Sequence, residues 1–401
     1  MIPVADAIQI VLQQTSLLGT ESVQLGEVLG RILAEDIIAD TDLPPFDRAQ
    51  MDGYAVRAAD VKTTPARLRI VGESAAGAGW HHEMKAGEAV RIMTGAPVPE
   101  GADSVQQVEL TRELNGAGTV EILESVQPGR SIVRQAAEIR SGETVLRAGE
   151  EINAQAIATL ASFGYGQVQV CRRPRVAVMA TGSELVNVDQ KPARDQIRDS
   201  NNYTIEAYAK LAGATVERVP LAGDDTELLK EQMAAALEHS DMLITSGGVS
   251  MGVYDFTKTA FRELGAEILF ERVALKPGKP TVFGKISDKL IFGLPGNPVS
   301  VAVTFNLFAR AALRAMQGAK SIGLPEVTAV LERNVMASPD RDSYLPAVLR
   351  TDEDGRLLAA PLKWGGSSDF VSFARANGLI IVPAGGAFAA GDRAKCLRLP
   401  A

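Results

Sequence analysis

Arg175-Val176-Ala177-Val178-Met179-Ala180-Thr181-Gly182-Ser183-Glu184 is the stretch on which the fold reading turns. An apolar run bounded by a Gly-containing turn reads as a strand buried on both faces. Outward from it, a helix is expected from about Tyr203 to Leu211, with Ser200 or Asn201 near its cap. A strand Thr215–Val219, a loop Ala222-Gly223-Asp224-Asp225-Thr226 and a helix to about His239 follow. The next strand, Asp241–Thr245, empties into Ser246-Gly247-Gly248. Such β-α-β-α-β alternation predicts a parallel sheet with helices on both faces. Ligands of these sheets bind beyond the carboxyl ends of the strands.

The flanks differ in character. Val4, Ala7, Ile8, Val11 and Leu12 recur at helical spacing, so residues 3–19 read as an amphipathic helix stopped by Gly19, with Leu25–Ala34 continuing the pattern. Residues 46–142 read mostly as β, from short runs such as Leu68–Val71 and Ala89–Met93 between Gly and Pro clusters. Asn153 to Phe163 reads as helix again, with Asn153 a candidate N-cap. The β region is thus expected as an insertion in a helical first domain. Beyond Pro325, Val327–Leu331 and Leu379–Val382 flank Gly-rich turns and suggest a small β-barrel or sandwich.

Composition narrows the function. The 401 residues are 46% hydrophobic and 22% charged, enough for several soluble domains. A net charge of -8 argues against nucleic-acid binding, since no basic face is available to displace counterions from a phosphate backbone. It leaves room for a small anion held by a local cluster of Lys and Arg. Two cysteines, Cys171 and Cys396, form no CxxC, so neither a zinc site nor a disulfide framework is read. The adjacent His81 and His82 read as an exposed loop or edge. The start of the chain lacks the basic-then-apolar pattern of a signal peptide, and no apolar run is read as approaching the ~18 residues of a membrane span. A cytoplasmic protein without membrane contact is the expectation.

Several loops fall at expected strand ends. Ser246-Gly247-Gly248-Val249-Ser250 precedes a helical stretch Phe256–Leu264; its glycines admit an anion to backbone N–H groups, although a tight turn reads equally well. Leu275-Lys276-Pro277-Gly278-Lys279-Pro280 sets two ammonium groups on a stiff turn just after Arg272. In so acidic a chain, an anion site is favoured there over a solvated loop. Gly293-Leu294-Pro295-Gly296-Asn297-Pro298-Val299-Ser300 leads into an apolar helix, Val301 to Met316, and suits a phosphate contact or a rigid crossover equally. Glu184, Asp224, Asp225 and Asp255 occupy loop positions from which they can converge on Mg²⁺; individually each reads as a cap or a solvated side chain, Asp225 and Thr226 as caps above all.

Together these segments resemble the molybdopterin molybdenumtransferase family and the homologous E domain of gephyrin. The resemblance runs over nearly the whole chain, through Phe46-Asp47, MDGYA (51–55), MTGAP (93–97), TGSEL (181–185), SGGVSMGVYD (246–255), LKPGKP (275–280) and GLPGNPVS (293–300), with Gly366-Ser367 and Ala376–Ile380 near the end. It implies a multidomain α/β plus β protein: an elongated helical first domain (1–45 and 143–173), a β-rich second domain (46–142), a three-layer α/β/α molybdopterin-binding domain (174–323) and a C-terminal β-barrel (324–401). It further implies a homodimer, with each cleft formed between the α/β domain of one subunit and the second domain of the other. The implied reaction takes adenylylated molybdopterin and molybdate with Mg²⁺, inserts molybdenum into the dithiolene and releases AMP. Molybdopterin adenylyltransferase and apo-molybdoenzymes are the implied partners.

Carried over motif by motif, Asp52, Glu184, Asp224, Asp255, Lys276 and Lys279 match catalytic positions, with Glu184, Asp224 and Asp255 as the metal set. Thr94, Ser246, Gly247, Gly248, Arg272, Pro295, Asn297 and Pro298 match substrate-binding positions, as do Arg341 and Ser367 in the last domain. Three departures stand out. Glu138 replaces a family Asp, Pro346 replaces the second Arg of a family Gly-Arg-x-x-Phe-x-Arg pattern, and Ala49-Gln50 precede Met51-Asp52-Gly53 where Ser-Ala is usual. The sister adenylyltransferase is a single domain, so the MDGYA and MTGAP segments argue against it. Retained Lys and carboxylate loops argue against a pure scaffold. Tungstate, nearly equal to molybdate in size and charge, stays open as the natural oxyanion.

Overall fold

The computed structural model describes residues 1–114, 118–221, 225–248 and 256–400. The chain divides into two compact units, Met1–Glu35 with Ala148–Asn153 and Gln167–Ala401, and Asp36–Arg147 with Ala154–Gly166.

The first unit opens with α1 (Val4–Gln14), which buries Val4, Ala7 and Val11 in the unit's largest core. The helix stops at Gln14 rather than near Gly19, because Thr20–Gln24 is drawn into an antiparallel ribbon with Gln167–Cys171. The expected helical continuation over Leu25–Ala34 is absent too. Only Leu25–Glu27 makes a 3₁₀ turn, and Leu33 donates its N–H to Glu150 O at 2.9 Å. Backbone pairing with a distant segment here overrides a locally helical pattern.

The α/β layer follows as β1 (Arg175–Ala180), α2 (Asn201–Leu211), β2 (Thr215–Arg218), α3 (Thr226–His239), β3 (Met242–Ser246), α4 (Phe256–Glu263), β4 (Glu267–Phe270), β5 (Val282–Ile286), β6 (Lys289–Leu294) and α5 (Pro298–Met316). The sheet order is β2-β1-β3-β6-β5-β4. Strands β2, β1, β3 and β6 are parallel, as expected, but β5 and β4 add an antiparallel edge. The reversal comes from a tight turn at Ser287-Asp288, between the paired residues Ile286 and Lys289; Ser287 takes φ 55°. Hairpin turns favour such left-handed residues. This one lacks the Asn-Gly or Gly-X signal that would have revealed it. One sheet face packs on α1, α2 and α5, the other on α3 and α4, with Phe261, Phe283, Phe292, Phe305 and Phe308 fully buried.

Helix α5 corrects the reading that no apolar run approaches membrane-span length. It is 19 residues long and apolar enough by composition, yet 89% of its apolar window is buried inside the protein, so it is a core helix. Its middle turn, Phe305–Ala309, is a π-helix. Nearby, Thr304 Oγ1 donates to Ser300 O at 2.7 Å and Asn306 Nδ2 to Ala302 O at 2.9 Å. Side chains that bond back onto the preceding turn loosen regular helix geometry.

The unit ends in a five-strand barrel: β7 (Glu326–Leu331), β8 (Asp342–Thr351), β9 (Leu357–Pro361), β10 (Gly378–Val382) and β11 (Arg393–Arg398). The long β8 closes it by pairing with β9 through its second half and with β10 through its first. Small interior residues, among them Ala329, Ala347, Ala359, Ala394 and Cys396, suit the narrow lumen. Burial pushes the Cys396 thiol up to about 11, so it is an inert packing residue.

The second unit carries a six-stranded sheet in the order Ser104–Gln107, Gly53–Val56, Glu88–Ile92, Ala66–Ser74, Thr119–Ile122, Thr111–Leu114. All pairs are antiparallel except Ala66–Ser74 with Glu88–Ile92. The β-rich reading of 46–142 therefore holds. His81 and His82 lie on an exposed loop, as expected. Residues 1–45 and 143–173 hold α1 and the helix Ala154–Ser162, but also two ribbons, Thr20–Gln24 with Gln167–Cys171 and Ile37–Ile38 with Thr144–Leu146.

Candidate active site

Strands β1, β3 and β6 lie side by side, so the loops leaving their carboxyl ends meet. Thr181 and Glu184 follow β1, Ser246 and Gly247 end β3, and Gly296, Asn297 and Pro298 follow β6. With Asn201 at the start of α2, Ser368, and Phe370 at the start of the short helix Phe370–Phe373, they line a cavity of about 900 Å³. Glycine is required at its floor. Gly247 (φ 91°) would place a Cβ 2.5 Å from Thr181 O, and Gly248 (φ 62°) one 2.2 Å from Thr257 Oγ1. Both glycines are thus fixed by their close approach to protein atoms of Thr181 and Thr257.

Polar side chains tie the walls. Asn201 Nδ2 donates to Ser246 Oγ and to Gly296 O, both at 2.7 Å. Asn297 Nδ2 donates to Ser367 Oγ at 2.8 Å, and Val299 N to Ser367 O at 3.0 Å. The start of the 19-residue α5, with Pro298 in its first turn, opens at this rim. A helix N-terminus attracts negative charge. Pro295 is buried beneath this rim and does not line the cavity.

Glu184 is exposed at the mouth, its carboxylate folded over Gly182, where a Cβ would sit 2.3 Å from Oε2. Asp199 lies between this cavity and a side compartment of about 490 Å³, lining both. Burial raises its pKa, against the backbone N–H groups of Asn202 and Asn201, the Asn202 side chain and Arg218. Arg218 stacks 4.1 Å from the centroid of the Tyr203 ring on the same wall. A buried carboxylate in a cleft is a common mark of a functional site.

Arg272, Lys276 and Lys279 stand on a separate turn and do not line the cavity. The Lys276-Pro277 bond is cis, Thr281 Oγ1 donates to Gly278 O at 2.7 Å, and Val273 N to Lys279 O at 3.0 Å. Leu275–Lys276 pairs in parallel with Asp342–Ser343, which brings Arg341 beside the turn. Arg341 Nε donates to Asp340 Oδ1 at 3.3 Å. Among the described residues no carboxylate pairs with Arg272, Lys276 or Lys279.

In the second unit, Asp52 Oδ1 accepts from Thr94 N at 2.7 Å and from Thr94 Oγ1 at 2.9 Å. The Thr94 backbone bond and then its hydroxyl hold the Asp52 carboxyl below its ordinary pKa. MDGYA and MTGAP are therefore one unit of structure. Gly53 is needed beside Asp52 because a Cβ would sit 1.9 Å from Gln106 O. Glu138 Oε1 lies 3.4 Å from Arg48 Nη2 at an exposed position.

Asp224 and Asp255 lie outside the described residues. Among the described residues no three of His, Cys, Asp and Glu gather as a metal set. Asp225 is a cap, accepting from Glu227 N at 3.0 Å and Leu228 N at 3.2 Å. Of the matched positions, the structure joins Glu184 with Ser246, Gly247, Asn297 and Pro298, Asn297 with Ser367, and Asp52 with Thr94, and sets Arg341 next to the Asp342–Ser343 segment that pairs with Leu275–Lys276. Sequence reasoning took Asn201 only as a helix cap and missed Asp199, Ser368 and Phe370. Asp199 and Asn201 stand in the segment Asp199-Ser200-Asn201, whose three short polar residues were the available signal.

Comparison with known proteins finds matches over nearly the whole chain. Residues 2–164 match the MoeA N-terminal region (domain I and II), residues 177–315 a probable molybdopterin binding domain, and residues 328–399 the MoeA C-terminal region (domain IV). The molybdopterin molybdenumtransferase of Bacillus subtilis is 37% identical over 390 residues, covering 96% of this chain and 90% of the relative. That of Haemophilus influenzae is 35% identical, covering 90% and 89%. A molybdopterin biosynthesis MoeA protein from Pyrococcus horikoshii OT3 superposes over 100% of both chains with a TM-score of 0.87 at 28% identity.

Proposed function

The chain belongs to the MoeA family, and on that premise we propose that it is a molybdopterin molybdenumtransferase, catalysing the last step of molybdenum-cofactor synthesis. Molybdate and adenylylated molybdopterin are its substrates. The observation that carries this reading is the convergence of three strand-end loops and the start of α5 on one cavity. Backbone close to Gly247 and Gly248 and the helix terminus favour a phosphate group there. The apolar Leu185, Ile197 and Phe370 of the same cavity suit the flat face of a heterocycle.

The edge carrying Arg272, Lys276, Lys279 and Arg341 takes the molybdate oxyanion. Ammonium and guanidinium groups bind oxyanions through charge-assisted hydrogen bonds. As the two dithiolene sulfurs bond to molybdenum, one molybdate oxygen leaves as water with their two protons; water cleaves the phosphate–phosphate bond of the adenylate and releases AMP. Mg²⁺ belongs to the same proposal. Glu184 fits it, being a hard oxygen donor open to solvent, and Asp224 and Asp255 are its partners by motif. Bound there, the ion would offset phosphate charge. Asp52, fixed as an anion by Thr94, is placed to hold a donor or a water.

We further propose a homodimer in a cytoplasmic setting, with an elongated first domain, receiving substrate from the adenylyltransferase and passing product to apo-molybdoenzymes. The test is direct. Purified protein is given adenylylated molybdopterin, Mg²⁺ and either molybdate, tungstate or neither, and AMP is measured. Oxyanion-dependent AMP release is expected. Substrate left intact under all three conditions would reject the activity.

A further inference from the structure

We propose that Asn201 is a positioning residue that turns Ser246 into a hydrogen-bond donor for an anionic group in the strand-end cavity. The inference rests on the proposed reading that an adenylylated substrate occupies this cavity. Asn201 Nδ2 lies 2.7 Å from both Ser246 Oγ and Gly296 O. Gly296 O can only accept, so the amide nitrogen, not its oxygen, must face these two atoms. Both amide protons are then used, and Ser246 Oγ is the acceptor of one of them. Its own proton is left for donation. Among the described residues no protein acceptor takes that proton, and Ser246 lines the cavity.

The amide is held for what it does to its neighbours. Asn201 Oδ1 is buried and has no partner among the described residues. Buried acceptors are nearly always paired, so an orphan on a cavity wall signals a position fixed by other demands. Those demands are visible. The bond to Gly296 O ties the loop after β6, and the bond to Ser246 ties the end of β3. Gly296 sits close enough that a Cβ there would lie 3.7 Å from Gly247 Cα. One side chain thus sets both the spacing of the two loops and the direction of the Ser246 hydroxyl.

Asn201→Asp is nearly isosteric and replaces the double donor by an acceptor facing Gly296 O. The full-length protein is assayed for KM and kcat with adenylylated molybdopterin, and for AMP affinity by calorimetry. A rise of about tenfold in KM and in the AMP Kd is expected, with kcat within about twofold and the protein still folded at the assay temperature. Asn201→Gln, which keeps the donor, is expected to recover part of the loss. In a Ser246→Ala background, Asn201→Asp is expected to cost clearly less than it does alone, since the part of its effect that runs through Ser246 is already lost. Asn201→Ser carries the same cycle if the aspartate variant does not fold. Wild-type constants in Asn201→Asp, losses that add in the double variant, or losses that follow Tm would each overturn the proposal. A wild-type protein that binds AMP with these dependences but never consumes adenylylated molybdopterin would instead reject the activity and leave the Asn201 role standing.

Discussion

At the scale of single residues, charge and its fixing decide what can be tested. Lys279 has no carboxylate partner among the described residues, and its backbone is held in the turn, its O accepting from Val273 N. As the proposed oxyanion contact, it should be removable with little loss of fold. Lys279→Ala is expected to cost about 1.5–3 kcal/mol of oxyanion contact, read as a rise of roughly tenfold or more in the molybdate concentration for half-maximal AMP release, with Tm unchanged. A variant matching wild type at limiting molybdate would remove Lys279 from the anion site. Asp52 offers a titration instead. Its carboxyl is depressed first by the Thr94 N–H and then by the Thr94 hydroxyl. A depressed folded pKa contributes stability above the unfolded value, and that contribution fades as pH falls through the folded value. Thr94→Val deletes the hydroxyl and keeps the N–H. The Asp52 pKa should therefore rise toward, without reaching, its ordinary value, measured by side-chain carbonyl NMR over pH 2–6 (a range of about 4 units spanning the carboxylates). An unmoved titration would mean that the backbone bond alone fixes the carboxylate.

At the scale of elements, glycines mark where backbones nearly touch. Gly53 lies in a strand pressed against Gln106, where a Cβ would fall 1.9 Å from the carbonyl oxygen. Gly53→Ala must push the two strands apart, and overpacking of this kind costs about 1–3 kcal/mol. A fall in Tm with disturbed Asp52 and Thr94 resonances is the expected result; unchanged Tm would show that the sheet absorbs the methyl. The same element scale separates what could be read in the sequence from what could not. Strands β1 and β3 were legible because both faces are buried, giving continuous apolar runs such as Val176–Ala180. The loops after β1, β3 and β6 were legible for the same topological reason. Leu25–Ala34 misled because its apolar spacing suits a helix, whereas its backbone partners, Glu150, Ile152 and Gln169, come from far along the chain. The antiparallel edge β4–β5 was hidden by a turn at Ser287-Asp288 with no glycine. Asn201 was read as a cap because its site role depends on Ser246 and Gly296, 45 and 95 residues away. Local pattern carries no information about such pairings.

At the scale of the whole molecule, the matched residues are divided between two compact units. Asp52 and Thr94 belong to Asp36–Arg147, whereas Glu184, Ser246 and Lys279 belong to Gln167–Ala401. The proposed homodimer assigns each working cleft one set from each chain, which makes a prediction that a single-chain site does not. A chain with Asp52→Ala and a chain with Glu184→Ala are each expected to be inactive as homodimers. In a mixed dimer, one cleft would carry both lesions and the other neither. Random assortment makes about half of all dimers mixed, each with one intact cleft of two, so about a quarter of wild-type AMP release should return. Neither substitution is expected to unfold the chain, because both side chains are exposed. Mixed dimers can be isolated by two different affinity tags, which removes the assumption of random exchange and raises the expected value to about half of wild type. Tagged, verified mixed dimers as inactive as either parent would place both sets in the same chain's cleft, or couple the two clefts, and the proposed division of labour between subunits would fall.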